Sequence, residues 1–299
     1  MQLKKQKLCI CLVLAAMLSV FLPGISGKAD AGIIPYSVIA PHEYQLPVGD
    51  EIPKNGTDLL LSYNTFRDEG KAWEGQSSAR SLFVNIEKYV HIFKIDGLKN
   101  SGFLWEGVAG LGSFQGKDHT STNGLIDAQT GLVGWYKPLK NWCNVLEYWL
   151  YLPTGNDNLS GHSWNHSFAY MTNFTLGNFT FDGDIGYKLM GDYDYAGVEK
   201  KQGDTVFANA VFAYKVMKQI EPFFKADYQS TNSGETVASS NPETTPLGTF
   251  SGNSELALGV GNQFQISDRL SLAIWYEAGV TGRNTTKTNA GYCRFIWAF

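Results

Sequence analysis

The stretch Asn178-Phe-Thr-Phe-Asp-Gly-Asp-Ile-Gly-Tyr-Lys-Leu-Met190 decides how this chain is read. Phe179, Phe181, Ile185, Tyr187 and Leu189 share one parity with Gly183, while Asn178, Thr180, Asp182, Asp184 and Lys188 share the other. A period of two marks a β-strand, whose successive side chains point to opposite faces. The segment 270–281 repeats the pattern, with Leu270, Leu272, Ile274, Tyr276, Ala278 and Val280 opposed to Ser271, Glu277, Gly279 and Thr281. Twelve such windows tile the chain: 57–66, 81–93, 102–114, 125–136, 143–153, 167–176, 178–190, 205–217, 222–230, 255–266, 270–281 and 291–299. Beyond residue 31 no apolar run approaches the roughly 20 residues of a spanning helix.

When each window is assigned its more apolar face, the polar faces collect nearly all the charge. They carry Asp58, Glu87, Glu106, Asp127, Glu147, Asp182, Asp184, Asp227, Glu255 and Glu277, with Lys188, Lys215, Lys225 and Arg294. The apolar faces carry Lys88 alone, which would have to snorkel or be re-aimed by a bulge. A nearly charge-free face on every strand fits a lipid-facing band, where Lys or Arg at the midplane costs about 2–4 kcal/mol. The charged residues, Glu255 included, are therefore expected to line a polar lumen. That lumen is acidic, which predicts a preference for cations or neutral solutes over anions.

The connections support the same architecture. Between windows they run 14, 8, 10, 6, 13, 1, 14, 4, 24, 3 and 9 residues, long alternating with short. Up-and-down membrane barrels have long loops at one end, short turns at the other and an even strand count. The expectation is an all-β transmembrane antiparallel barrel of about 12 strands (10–14) occupying residues 57–299. Composition agrees, with 17% charged and 14% aromatic residues and a formal charge of −4. Low charge with many aromatics excludes a disordered chain, and the absence of a basic stripe excludes nucleic-acid binding.

The N-terminus reads as an export signal. Lys4, Lys5 and Lys7 precede an apolar run from Leu8 to Leu22, and Ala29-Asp30-Ala31 supplies a cleavage site, so residues 1–31 are expected to be a cleaved signal peptide. This places the protein in the bacterial outer membrane. Residues 32–56 contain Pro35, Pro41, Pro47 and Pro53, poor strand material because proline lacks the ladder donor. They are expected to form a periplasmic leader or to fold into the lumen as a plug. After cleavage only Cys143 and Cys293 remain, which is neither a disulfide framework nor a zinc site.

At these residues the chain resembles the outer-membrane family named for the meta-pathway of phenol degradation. The resemblance rests on Glu43-Tyr-Gln-Leu-Pro-Val-Gly49 leading into Asp58-Leu-Leu-Leu-Ser-Tyr63, and on the run Asn123–Leu132. It continues in Tyr151-Leu-Pro-Thr-Gly-Asn-Asp157 and the terminal Arg294–Phe299. Ile126 and Ala128 stand where the family tends to have Gly and Pro. The alternating Phe295, Trp297 and Phe299 resemble the C-terminal signal read by the barrel-assembly machinery. The resemblance implies a channel for passive uptake of small compounds, hydrophobic or aromatic ones among them, without enzymatic activity. The partners it implies are outer-membrane lipid, the assembly machinery and a small-molecule solute.

Other readings are weaker. Asp118-His-Thr-Ser-Thr-Asn-Gly124 resembles the His-x-Ser-Asn-Gly stretch of outer-membrane phospholipases but has one extra Thr and falls in a loop. His162 and His166 have i, i+4 spacing, but their segment reads as loop rather than metal-binding helix. Asp182 and Asp184 have a spacing compatible with paired-carboxylate catalysis, but they sit in a lumen already rich in acids. No catalytic residue, metal site or cofactor is expected. The alternatives are a surface barrel for adhesion or structure, a phospholipase-like enzyme, and a soluble periplasmic sandwich.

Overall fold

The computed structural model describes residues 39–68, 70–73, 81–115, 121–156, 159–195, 198–238 and 246–299. The expected signal peptide and residues 32–38 lie outside them. The strands are β1 (Thr57–Asp68), β2 (Ser81–Phe93), β3 (Ser101–Gln115), β4 (Ser121–Leu125), β5 (Gln129–Leu139), β6 (Trp142–Tyr151), β7 (Asn165–Leu176) and β8 (Phe179–Leu189). They continue as β9 (Tyr193–Tyr195), β10 (Val198–Lys201), β11 (Thr205–Tyr214), β12 (Ile220–Thr231), β13 (Gly234–Ala238), β14 (Pro246–Phe250), β15 (Asn253–Ser267), β16 (Leu270–Arg283) and β17 (Asn289–Ala298).

Each wall strand pairs antiparallel with its neighbours, and β1 pairs with both β2 and β17, so the sheet closes on itself. Closure satisfies every backbone donor and acceptor without an edge, the condition for β-structure in lipid. β4 and β5 both pair with β3, one after the other, and together make a single wall position. The barrel therefore has twelve positions. The other four strands form a separate sheet, in the order β14-β13-β10-β9, within the two longest connections.

Short turns at 94–100, 140–141, 177–178, 215–219 and 268–269 gather at one end with Thr57 and Phe299. Three of them have two residues, and in one of these, Gly177-Asn178, Gly177 has φ +59° and Asn178 stays negative. A positive φ at the first central position is the hairpin geometry that favours glycine there. The residues facing away from the barrel are apolar and open: Leu132, Leu146 and Val260 are 60%, 67% and 62% exposed. Tyr136, Trp142 and Tyr214 are exposed near the turn end, and Tyr187, Tyr228 and Tyr276 toward the loop end. Aromatic rings at both margins of an apolar band describe a barrel embedded in a bilayer.

Two strands depart from the polarity assignment. On β2 the buried parity is Leu82, Val84, Ile86, Val90 and Ile92 with Lys88, so Glu87 points outward. On β1 Leu61, Tyr63 and Thr65 are buried, so Asp58 points outward as well. The cause is what fills the barrel. Residues 39–49 run inside it, and the apolar faces of β1 and β2 line the interior against them as a hydrophobic core would, rather than facing lipid. Lys88 needs neither a bulge nor snorkelling, because it faces the interior.

Candidate functional site

The leader enters at the turn end, where Gly49–Glu51 form one turn of 3-10 helix. A Cβ on Gly49 would overlap the Leu98 carbonyl of the β2–β3 turn, so only glycine lets the chain pass this close. An irregular segment inside a barrel has no ladder to satisfy its backbone, and the wall supplies partners instead. Lys94 Nζ donates to Gly49 O at 2.6 Å, Lys137 Nζ to Leu46 O at 2.7 Å, and Trp135 Nε1 to Pro47 O at 3.0 Å.

Further in, residues 40–44 meet four wall strands. The Asp182 carboxylate on β8 accepts the backbone N–H of His42 at 2.8 Å and of Tyr44 at 3.2 Å. Asp184 accepts the Tyr44 hydroxyl at 2.8 Å. Burial, and then the Asp184 carboxylate, hold the Tyr44 phenol well above its usual pKa, so it stays a donor. His42, whose φ is +64°, places Nε2 2.7 Å from Glu221 Oε2 at the start of β12. On β17 the fully buried Arg294 donates to Ala40 O, Pro41 O and Gln263 and pairs with Glu43, and Glu43 also accepts Tyr63 OH at 2.6 Å.

On the loop side of these contacts lies a cavity of about 120 Å³. Five aromatic side chains contribute to its lining: Tyr44, Tyr63, Trp149, Tyr151 and Phe207. Glu43, Lys88, Glu147 and Asp184 supply its charges. Lys88 pairs with Glu106 at 2.7 Å and stands 5.3 Å from the Trp149 ring centre; Lys188 stands 3.9 Å from that of Tyr151. Across the barrel the buried Lys225 binds Asp227 at 2.9 Å and Glu277 at 2.7 Å, and Glu277 also accepts Trp275 Nε1 at 2.6 Å. Near the loop end Glu255 accepts Trp73 Nε1 at 3.0 Å and Thr288 Oγ1 at 2.5 Å.

Of the residues singled out in the sequence, Glu106, Glu147, Asp182, Asp184, Lys188, Lys225, Asp227, Glu277 and Arg294 face the interior. Asp127 lies in the break between β4 and β5, where the β6–β7 connection folds in and donates the N–H of Gly155 (2.9 Å) and Gly161 (2.7 Å) to its carboxylate. Lys215 lies past the end of β11, exposed in a turn. Asp58 faces outward at the turn end, accepting Tyr89 OH at 2.6 Å with His91 Nδ1 at 2.7 Å, and Glu87 faces outward deeper in the wall. Phe295 and Trp297 are on the outer face of β17, and Phe299 N donates to Asp58 O at 3.1 Å.

Sequence reasoning missed Glu43, Tyr44, Lys137 and Glu221 as interior groups. The one available signal was Lys88, a lone charge on an apolar face. Of the phospholipase-like stretch, 118–120 lie outside the described residues and Ser121 opens β4. His162 sits in a loop, whereas His166 lies on β7, 2.9 Å from Tyr148 OH.

The fold resembles that of an outer membrane channel from Pseudomonas putida F1, at a TM-score of 0.72 and 14% identity over 87% of this chain and all of that one. A translocator domain of the autotransporter NalP from Neisseria meningitidis follows at 0.47 and 12% identity, covering 84% of this chain and 92% of that one. No curated protein matches the sequence. Residues 64–295 match the family described as "Putative MetA-pathway of phenol degradation", and the chain belongs to that family of outer-membrane barrels.

Proposed function

We infer that the protein is a non-enzymatic channel for small hydrophobic or aromatic solutes, closed at rest by residues 39–47. The observation that carries this reading is the aromatic cavity directly against the leader, inside a wall that otherwise spans the membrane. Pockets that take small organic ligands are mostly apolar, with a few placed polar groups, and this lining has that character. The leader is tied by hydrogen bonds and ion pairs rather than covalently, so its displacement leaves the wall intact. The family's description supports a phenol-like solute, and the resemblance to an outer membrane channel supports passage.

The test is to delete residues 33–54 and record single-channel conductance in planar bilayers beside liposome swelling with phenol and with sugars. Conductance several-fold above the full-length protein, with phenol entering faster than sugars of similar size, supports the proposal. Unchanged conductance overturns the plug, and exclusion of every solute overturns the channel. The sheet formed by β9, β10, β13 and β14 at the loop end favours a second reading, a surface barrel that binds a partner. Exclusion of all solutes is what that reading requires.

A further inference from the structure

Ser62, Asn64, Asn85 and Glu87 form a polar quartet on the outer wall. The register places Ser62 opposite Glu87 and Asn64 opposite Asn85, so four adjacent outward positions of β1 and β2 are polar. Apolar and aromatic residues enclose them along both strands: Phe66 and Phe83 toward the loops, Leu60 and Tyr89 toward the turns. Glu87 is four residues, roughly 13 Å of strand, beyond His91 at the turn-end margin, within the lipid-facing band. Elsewhere on the outer wall a polar side chain is met by an aromatic donor, as Thr130 is by Trp105, Thr172 by Trp142 and Asn144 by Tyr170.

The quartet is bonded to itself but not completed. Glu87 Oε1 accepts both Ser62 Oγ at 2.7 Å and Asn85 Nδ2 at 3.2 Å, and Asn85 Nδ2 also reaches Asn64 Oδ1 at 3.0 Å. Among the described residues no hydrogen bond reaches Glu87 Oε2 or Asn85 Oδ1, and Asn64 Nδ2 has only a 3.5 Å contact to Ser62. Two acceptors and a donor are thus left facing hydrocarbon, which offers them nothing. Of the outward positions in register with the quartet, Ala109 beside Glu87 and Cys293 beside Asn64 are small, while Leu111 beside Asn85 and Phe295 beside Ser62 are large. One step further along, Gly107 on β3 and Gly291 on β17 leave room for another wall to approach on the Glu87 and Asn64 sides.

We propose that this β17–β1–β2–β3 face is the contact between two copies of the chain in the membrane, related by a two-fold axis through the quartet. A two-fold contact apposes one patch to itself, which requires that its unmet donors and acceptors complement each other. In part they do: the free amide hydrogen of Asn64 in each copy matches Glu87 Oε2 or Asn85 Oδ1 of the other, which meets one of the two open acceptors on each side. A lipid chain offers neither donor nor acceptor. The proposal is independent of what the barrel transports.

The test is subunit counting by single-molecule photobleaching in lipid bilayers, with copper-phenanthroline oxidation as a second readout. Cys293 is the outward cysteine next to the patch and Cys143 is buried, so oxidation reports on this face. Wild type is expected to bleach in two steps and to form a Cys293-dependent dimer on a non-reducing gel. N85L/E87L, which makes the outer wall more apolar, and Ala109→Trp, which obstructs approach without touching the quartet, are each expected to raise the dimer dissociation constant at least tenfold. Heat-modifiable gel migration checks that each variant is a closed barrel. Single-step bleaching of wild type at high density, a dimer that survives both variants, or crosslinking of Cys293 to a different protein in native membranes would overturn it.

Discussion

Two arcs of one wall obey opposite rules. From β7 through β16 the charged parity points in and the apolar parity points out, as in Asp182, Asp184, Lys188, Lys225 and Glu277 against Ile185, Tyr187, Phe224 and Tyr276. Across β1 and β2 the sense reverses, with Leu61, Val84, Ile86 and Val90 turned in and Asp58, Ser62, Asn85 and Glu87 turned out. What differs is the environment on each side. The β8 carboxylates meet donors of the leader, backbone N–H groups at Asp182 and the Tyr44 hydroxyl at Asp184, whereas β1 and β2 contribute an apolar lining to the filled interior. Polarity alone orients a strand only when the lumen is known to be wet.

The sharpest way to break the comparison is to strip a charge from each arc and compare the costs. In the inward arc Lys225 is fully buried between Asp227 and Glu277. Lys225→Met leaves two buried carboxylates uncompensated, and losing one partner of a buried ion pair costs about 3–5 kcal/mol. Urea unfolding in vesicles, followed by tryptophan fluorescence and gel migration, should show a loss of that order. A variant as stable as wild type would mean that water reaches the triad and that this side of the lumen is open.

A middle-sized effect separates the wall from the leader. Asp182→Asn with Asp184→Asn leaves the fold intact but removes the charge that receives His42 N, Tyr44 N and Tyr44 OH. The wild-type pore is expected to favour cations, most strongly at low salt because screening shortens with ionic strength. In the double variant the reversal potential under a salt gradient moves toward zero, and opening becomes more frequent as the leader loses its acceptors. A cation preference untouched by the substitutions would move the filter to the loops, and an anion-selective wild type would refute the acidic pore.

How far the sequence could be read follows from the same contrast. The twelve-position barrel was legible because strand period, alternating connections and the C-terminal aromatics are local and mutually consistent. The inward acids of β6, β8, β12 and β16 were legible because the cores of their opposite parities are apolar, with Asn144 on β6 the one exception. The orientation of β1 and β2 was not, since it depends on residues 39–49 occupying the interior, and no periodicity shows where an irregular segment goes. The partners of Glu43, Tyr44 and Glu221 were hidden for the same reason, being separated from them by 20 to 251 positions. The break at Asp127 was missed because the β6–β7 connection, not the local sequence, interrupts the strand.

The smallest effect is the most pointed test of the reversed arc. Glu87 faces outward with Ser62 and Asn85 as partners, and no cation among the described residues pairs with it. Glu87→Leu removes a carboxylate from the lipid face and frees the Ser62 hydroxyl and one Asn85 hydrogen, while Asn85 Nδ2 keeps its bond to Asn64 Oδ1. Lost hydrogen bonds of about 0.5–1.5 kcal/mol are offset by the gain from placing an apolar side chain in lipid. Measured at high dilution in vesicles, where copies are apart, the net change should stay within about 1 kcal/mol of wild type. If β2 were turned the other way, Glu87 would lie in the filled interior and Lys88 would face lipid. The same substitution would then leave the buried donors of Ser62 and Asn85 unmet at about 1–3 kcal/mol each, a loss comparable to that of Lys225→Met. Equal losses in the two arcs would therefore abolish the reversal, whereas a neutral Glu87→Leu beside a crippled Lys225→Met establishes it in solution.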